Sequence, residues 1–246
     1  MQLMRWLIAL LWLYQSSAYA QSEEYSFCFS RWWPFSYVEP EVGAKGIQVD
    51  ILKYALGNAN ISASFSELPY RRCIDDVHAG KYDFTLHIDS SDSLNLVEHT
   101  VSVWEMALAV NVNNRHLTFE KIKSLPFFSV VIAQEYPYPD EVIEVLSDIN
   151  AVIVKRSYYE GSDEDARALF DILASNRVGA ILIDKRWAEK IISQFNLPVT
   201  ILPELIHSER QFIGFAERNK LKAEKLSYLL KQITQQEVRS IEMDYQ

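Results

Sequence analysis

The fold of this chain is decided by three segments of its first half, Gly46-Ile47-Gln48-Val49-Asp50-Ile51-Leu52, Leu68-Pro69-Tyr70-Arg71-Arg72 and Gly80-Lys81-Tyr82-Asp83-Phe84. Val49, Leu52 and Leu56 recur at helical spacing, which predicts a helix over 48–56 that buries one face and ends at Gly57. A second helix is predicted over 71–79. These segments therefore indicate helices that alternate with other elements.

The runs before and between these helices have the length and composition of strands, at 25–29, 61–65 and 83–88. Strands that alternate with helices favour a mostly parallel sheet with helices on its faces. We therefore predict an α/β fold, with residues 106–112 extending this first unit.

The same alternation restarts in the second half of the chain. Strands are predicted at 129–133, 151–154, 178–183 and 199–202, with a helix over 141–146 and another that Ser162 caps, with Asp165 three residues on. A further strand is predicted at 210–215. The buried stripe of a last helix consists of Leu226, Leu229, Leu230 and Ile233. Two β/α units in series predict two lobes.

The predicted domain boundaries follow from this restart. Lobe 1 would span residues 21–111 and lobe 2 residues 112–206, and residues 207–246 would return to lobe 1. No Pro- or Ser-rich linker separates the units, so the two crossovers are expected to be short, near 111–115 and 207–210.

The N-terminus has the pattern of a cleavable export signal. Arg5 precedes an apolar run over 6–14, and Ala18-Tyr19-Ala20 matches the small-x-small cleavage site, so residues 1–20 are predicted to be a signal peptide. The alternative, a membrane anchor, is disfavoured because a spanning helix needs about 20 apolar residues. No Cys lies at the cleavage point to accept a lipid. We expect a protein in the periplasm that does not insert into the membrane after signal cleavage.

Composition excludes two classes of protein. The formal net charge is −9, and basic residues are interspersed with acids rather than clustered, so nucleic acid is not an expected partner. The hydrophobic fraction is 49%, which is ample for a folded core and argues against disorder.

The only two cysteines are Cys28 and Cys73. Export would place them where disulfides persist, so a single bridge between the first strand and the second helix is one reading. Two buried free thiols are the alternative, since sequence spacing cannot establish the geometry that a bridge requires.

Candidate ligand residues are selected by a rule for open α/β sheets, in which ligands bind beyond the carboxyl ends of the strands. The first strand is followed by the aromatic loop Trp33-Pro34-Phe35-Ser36-Tyr37, whose rings suit stacking or cation binding. The other strand ends supply Asp89, Ser90, Ser91, Gln134, Glu135, Tyr136 and Asp184.

The order of these motifs resembles that of the family 3 extracellular solute-binding proteins, of the amino-acid ABC transporter type. The resemblance is carried by the aromatic loop, the helix start at 46–51, Pro69-Tyr70-Arg71-Arg72, Gly80 with Asp83, the stretch 173–184 and the final 212–216 and 241–245. It implies a type II periplasmic-binding-protein fold: two lobes, each a mostly parallel sheet flanked by helices. The implied function is capture of a small polar, amino-acid-like molecule in the interlobe cleft, by a monomer without cofactor or metal, for a transporter permease or membrane sensor.

One departure from the family bears on the ligand. Amino-acid binders of this family usually carry an Arg after the third strand to pair with the α-carboxylate, but the segment Ser90–Asn95 contains no cation. Arg72 could replace it, or could be a solvated residue in the first turn of its helix. Asp184 matches the family acid that receives an α-ammonium, and could also cap the helix beginning near Lys185.

These alternatives for Arg72 lead to different classes of ligand. If Arg72 faces away, Asp89, Glu135 and Asp184 would favour a cationic or hydroxyl-rich ligand. The predicted ligand-binding residues are Trp33, Phe35, Tyr37, Tyr70, Arg72, Asp89, Ser90, Ser91, Gln134, Glu135, Tyr136 and Asp184.

An enzyme is the main competing class, because a fold alone does not determine function. The sequence has no nucleophile elbow, zinc-binding helix or phosphate loop, and its five histidines are scattered. Glu135 and Asp184 would be the only sensible general acids. We expect a non-enzyme; the alternatives are an orphan sensor or adaptor of the same fold, or a dehydratase- or lyase-like cleft enzyme.

Overall fold

The computed structural model describes residues 23–89, 92–99, 102–134, 136, 138–157 and 163–245. The predicted signal peptide lies outside these ranges, as do Ser90, Ser91, Glu135, Ser162 and the side chain of Asp165.

The first part of the chain builds a parallel sheet with two helices. Its elements are β1 Glu24–Phe29, β2 Tyr37–Glu39, β3 Gly43–Lys45, α1 Ile47–Asn58, β4 Ser62–Glu67, α2 Tyr70–His78 and β5 Phe84–Ile88. Strand β1 lies between β4 and β5 and is parallel to both, while β2 and β3 form a separate hairpin. The apolar face predicted for α1 is buried against Phe27 and Phe84 in the first core. The β/α alternation predicted from the sequence is therefore present.

The middle of the chain builds a second β/α unit. Its elements are β6 Asn95–Leu96, β7 Ser102–Asn111, α3 Phe119–Lys123, β8 Ser129–Ala133, α4 Asp140–Asp148, β9 Val152–Arg156, α5 Asp163–Ala174, β10 Ala180–Asp184 and α6 Lys185–Phe195. Strand β8 is parallel to β9 and β10, whose carboxyl ends consequently meet at one edge. Separate apolar cores lie on the two faces of this sheet.

A long strand joins the two units. Strand β11, Val199–Phe215, runs antiparallel to β7 from Val199 to Gln211 and then pairs with β5 from Phe212 to Phe215. Among the described residues, nine strands thus form one sheet in the order β4-β1-β5-β11-β7-β10-β8-β9, with β6 on β11. Helices α7 Lys220–Lys231 and α8 Gln235–Met243 then return to α1 and complete the first core.

The packing of β7 differs from its predicted position. Met106, Leu108 and Val110 pack against Val130 and Leu182 in the core of the second unit, whereas the sequence places this strand in lobe 1. An apolar strand sequence does not say which neighbouring sheet it joins, because several partners would bury it equally well. The predicted crossover at 207–210 falls inside β11, and the lobe boundaries at 111 and 206 stay predictions.

Candidate functional site

The aromatic loop after β1 is held on the first turn of α1 by backbone contacts. The N–H groups of Ile47 and Gln48 donate to the carbonyl oxygens of Pro34 (2.9 Å) and Phe35 (3.0 Å). This approach requires glycine at position 46, where φ is 124° and a Cβ atom would lie 2.3 Å from the Phe35 oxygen. The loop is therefore positioned by a rigid helix terminus.

Trp32, immediately before this loop, contacts Asp184 at the end of β10. The indole Nε1–H donates to Asp184 Oδ2 (3.1 Å), and the backbone N–H of Trp187 donates to Oδ1 (2.8 Å). Asp184 is only 3% exposed, and burial raises the pKa of its carboxyl group to about 6, against the hydrogen bonds from Trp187 and Trp32. Asp184 thus caps α6 and joins the two lobes, while its predicted ligand role stays a prediction.

Two cations of α6 lie over rings of the same loop. The Arg186 guanidinium is 5.3 Å from the centre of the Phe35 ring, and Lys190 Nζ is 5.5 Å from that of Trp33. Phe35 is 2% exposed in the first core, with its ring centre 4.5 Å from that of Trp32. Phe35 therefore supports Trp32, while its predicted ligand contact stays a prediction.

A cavity of about 740 Å³ opens beside these contacts. We call it the α6 groove, and it is lined by Trp33, Pro34, Tyr37, Glu105, Lys185, Arg186, Glu189, Lys190, Ser193, Gln194, Asp244 and Tyr245. Lys185 pairs with Glu105 (3.4 Å), and Tyr37 meets Tyr245 edge to face at 6.5 Å. The predicted residues Trp33 and Tyr37 thus line this cavity, whereas the contribution of α6 is not evident from the sequence.

A second set of side chains comes from α2, β7, β11 and the segments that follow β5 and β8. We call it the aromatic–acidic patch, and it consists of Tyr70, Asp89, Asp92, Trp104, Tyr136 and His207. The Tyr70 hydroxyl donates to Asp92, whose Oδ2 also accepts the backbone N–H of Asp89 (3.2 Å). Predicted residues of both lobes, Tyr70, Asp89 and Tyr136, therefore belong to one patch.

Ring contacts and charges connect the two sides of this patch. The Trp104 ring lies 5.7 Å from Tyr136 and 5.2 Å from His207. Burial and the Asp92 hydrogen bond raise the pKa of Tyr70, and the charges of Asp89 and Tyr136 raise it further. Tyr70 of the first lobe consequently lies within electrostatic range of Tyr136 of the second.

The patch and the α6 groove lie on opposite faces of β7. Trp104 belongs to the patch and Glu105 lines the groove. Because successive side chains of a strand point to opposite faces, these two neighbours separate the two surfaces. The sequence gives no signal for Trp104, since an aromatic residue in a strand is more often part of the core.

The side chain of Arg72 is solvated. Its Nε is 3.4 Å from Asp76, one helical turn along α2, and its side chain is 67% exposed. Asp76 also pairs with Lys81 (2.7 Å). Arg72 therefore contacts an acid of its own helix, while its predicted ligand role stays a prediction.

Four further predicted residues are not placed in either surface. Gln134 has an exposed side chain at the end of β8, with its backbone N–H donating to the Arg156 carbonyl (2.8 Å). Ser90, Ser91 and Glu135 are outside the described residues, so their predicted roles stay predictions.

Cys28 and Cys73 form a disulfide, with their Cα atoms 5.7 Å apart. The bond joins β1 to the first turn of α2, and both residues are buried beside Ile74 and Val77. Of the two readings of the cysteines, the bridge is the one present. It connects the strand that precedes the aromatic loop with the helix that carries Tyr70.

Two findings limit other kinds of site in the part of the chain that the structure describes. No group of three or more His, Cys, Asp or Glu side chains is arranged to hold a metal ion there. No helix of the described ranges is long and apolar enough to cross a bilayer.

Comparison with known proteins identifies the fold through structure alone. No protein-family model and no curated relative matches the sequence. The second substrate-binding domain of a proposed amino acid ABC transporter from Streptococcus pneumoniae aligns with 15% identity and a TM-score of 0.69, over 90% of this chain and 99% of that one.

Two other solved structures extend this likeness. An ancestral amino acid-binding protein, a precursor of cyclohexadienyl dehydratase, aligns with 14% identity and a TM-score of 0.64 over 90% of this chain and 94% of its own. A histidine kinase sensor domain similar to periplasmic binding proteins aligns with 11% identity and a TM-score of 0.64, over 92% and 97%. The chain therefore has the type II fold of the periplasmic binding proteins, as its sequence motifs predict.

Proposed function

We propose that this chain is a periplasmic solute-binding protein that captures a small polar, amino-acid-like molecule between its lobes for an ABC transporter or a membrane sensor. The observation that carries the proposal is the interlobe boundary. Trp32 of one lobe contacts Asp184 of the other, and a cavity of about 740 Å³ beside them is lined from both lobes. This volume lies within the range of about 300–1,000 Å³ that small-molecule sites occupy.

Lobe closure supplies the mechanism. A ligand that touches both walls binds the closed form more tightly than the open form, and so shifts the population toward closure. The contacts of Arg186 with Phe35 and of Lys190 with Trp33 also form only when α6 and the aromatic loop are close. A membrane partner would then recognise the closed surface.

Two features support the periplasm as the compartment. The sequence over 1–20 has the pattern of a signal peptide. The Cys28–Cys73 disulfide is of the kind that persists in oxidising compartments. Cell fractionation of the full-length protein tests this: the mature form should be recovered in the periplasmic fraction, and recovery of uncleaved protein in the cytoplasm would contradict it.

Binding is tested by a thermal-shift screen of the purified protein against amino acids, amines, sugars and small organic acids. A ligand at a hundred times its dissociation constant adds about 2.7 kcal/mol of stability, which is readily visible. A saturable shift by one chemical class is the expected result. A folded protein that no compound stabilises would contradict the proposal.

Two alternatives of the same fold have some support. A sensor or adaptor role is favoured by the likeness to a histidine kinase sensor domain. A dehydratase- or lyase-like enzyme is favoured by the likeness to a dehydratase precursor and by the raised pKa of Asp184. Since both oxygens of that carboxylate already accept protein hydrogen bonds, we propose a function in binding without catalysis.

A further inference from the structure

We infer that the aromatic–acidic patch binds an organic cation that carries no carboxylate, such as a diamine or a guanidino-amine. The inference rests on the proposed function, because it keeps the capture of a small molecule at the lobe boundary and specifies the chemical class of that molecule. It takes the patch, and not the α6 groove on the other face of β7, as the surface that holds the ligand.

The rings of the patch are suited to a cation. Tyr136 is 43% exposed, so part of its ring is accessible, and Trp104 lies 5.7 Å from it. The charge of Tyr136 contributes to the raised pKa of Tyr70 of the first lobe, so the two hydroxyl groups interact electrostatically. The electron-rich faces of Trp and Tyr attract ammonium and guanidinium groups, and most strongly where water is excluded.

The carboxylates of the patch add negative charge to the same place. Asp89 and Asp92 follow β5 and share the hydrogen bond from the Asp89 backbone to Asp92. On the second lobe, His207 Nε2 lies 3.3 Å from Glu209, which supplies a third acid beside the patch. A ligand ammonium would be attracted by all three groups, whereas a ligand carboxylate would be repelled.

Five cations of the described residues have partners outside the patch. Arg72 and Lys81 pair with Asp76. On the other face of β7, Lys185 pairs with Glu105, while Arg186 and Lys190 lie over rings of the aromatic loop. None of these five contacts involves an acid of the patch.

Matched pairs that differ by a single carboxylate test this inference directly. Agmatine and arginine, cadaverine and lysine, and histamine and histidine should be titrated calorimetrically into the purified protein at pH 7.5 and low salt. At least one amine should bind at least tenfold more tightly than its amino acid. Tighter binding of the amino acids, or binding of a sugar or organic acid alone, would overturn the inference and leave the proposed function standing. If no compound binds a protein shown to be folded, both fail.

Variants then locate the bound amine. Tyr136→Leu and Asp92→Asn should each weaken amine binding at least tenfold, and the former is at an exposed position where the fold should persist. Tyr228→Leu is the matched control, since Tyr228 is an exposed tyrosine on α7, far from the patch in the chain. Arg156→Ala and Arg72→Ala should leave affinity unchanged. A tenfold loss in either arginine variant, or none in Tyr136→Leu, would show that the patch is not the binding surface.

Discussion

At the scale of single residues, Asp184 connects the two lobes through its carboxylate. Its carboxylate accepts the backbone N–H of Trp187, as a helix cap does, and the indole N–H of Trp32 from the other lobe. Burial disfavours the charged form of a carboxylate, and the pKa near 6 shows that two hydrogen bonds do not offset this cost. The charge of Asp184 is therefore destabilising at neutral pH.

This cost can be measured as a dependence of stability on pH. The folded pKa of Asp184, about 6, is above its usual value of 3.8, so the folded state holds a proton that the unfolded state has already lost between these values. The free energy of unfolding of the wild type, relative to Asp184→Asn, should fall as pH rises from 4 to 7, by about 3 kcal/mol. Denaturant titrations of both proteins at several pH values measure it.

Other titrating groups affect both proteins equally and cancel in this difference. His87 is one of them, because burial lowers its pKa to about 3 in the first core. A difference that stays constant from pH 4 to 7 would contradict the assigned burial of Asp184.

Helix α1 and the aromatic loop act together at the scale of elements. The loop is bound to the first turn of α1 through Ile47 and Gln48, and Gly46 provides the backbone shape that lets them meet. The same helix packs in the first core through Ile51, Leu52 and Leu56. The position of Trp32 and Trp33 is therefore set by the core of lobe 1.

Two glycines make a matched pair for substitution, since Gly46 precedes the first residue of this helix and Gly57 lies in its last turn. Gly46→Ala should destabilise the protein by about 1–3 kcal/mol, since φ is 124° and the added Cβ would meet the Phe35 oxygen. Gly57→Ala should stabilise it by about 0.5–1 kcal/mol, since no atom lies within 4 Å of its Cβ position and alanine favours helix. Urea unfolding of both variants measures these changes; equal effects would exclude a special role for the Gly46 backbone.

The disulfide joins strand β1 to helix α2 in the first unit. It closes a sequence separation of 45 residues between β1 and α2. Reduction should lower the free energy of unfolding by about 4 kcal/mol, because the unfolded chain gains the freedom of that loop. Denaturant unfolding with and without reductant measures the loss, and a variant with both cysteines changed to alanine should not respond to reductant. Equal stability of the oxidised and reduced wild type would contradict this role.

The whole molecule is organised around the strands that pass between the lobes. Strand β11 pairs with β7 over most of its length and with β5 at its end, so one strand belongs to both sheet regions. The contacts of Trp32 with Asp184 and of Phe35 and Trp33 with α6 join the lobes in addition to these strands. Because they are side-chain contacts, substitution can remove them while the strands stay paired.

Opening of the molecule should follow loss of these contacts. In Trp32→Phe the donor to Asp184 is lost, and the radius of gyration of the ligand-free protein should rise as the open form is populated. Small-angle scattering measures this change. Trp187→Phe is the control, because its contribution to the cap is a backbone N–H that phenylalanine retains. An unchanged radius in Trp32→Phe would show that other contacts keep the lobes together.

Local patterns in the sequence were sufficient to predict helices and strands of the fold. Helical spacing at Val49, Leu52 and Leu56 and the strand 129–133 depend on neighbouring residues only, and both are present in the structure. The strand-end rule likewise located Trp33, Tyr37, Asp89 and Tyr136 near the lobe boundary, because the carboxyl ends of parallel strands share an edge.

The contacts between distant parts of the chain were decided only by the tertiary structure. Trp32 and Asp184 are 152 residues apart, and neither has a local pattern that reveals the other as its partner. The direction of Arg72, the burial of Phe35 and the core that β7 joins depend in the same way on which surfaces pack together. Sequence by itself determined which segments are helices and strands, because spacing along the chain governs their burial. The tertiary structure decided which side chains face the cleft, because that depends on contacts across the whole chain.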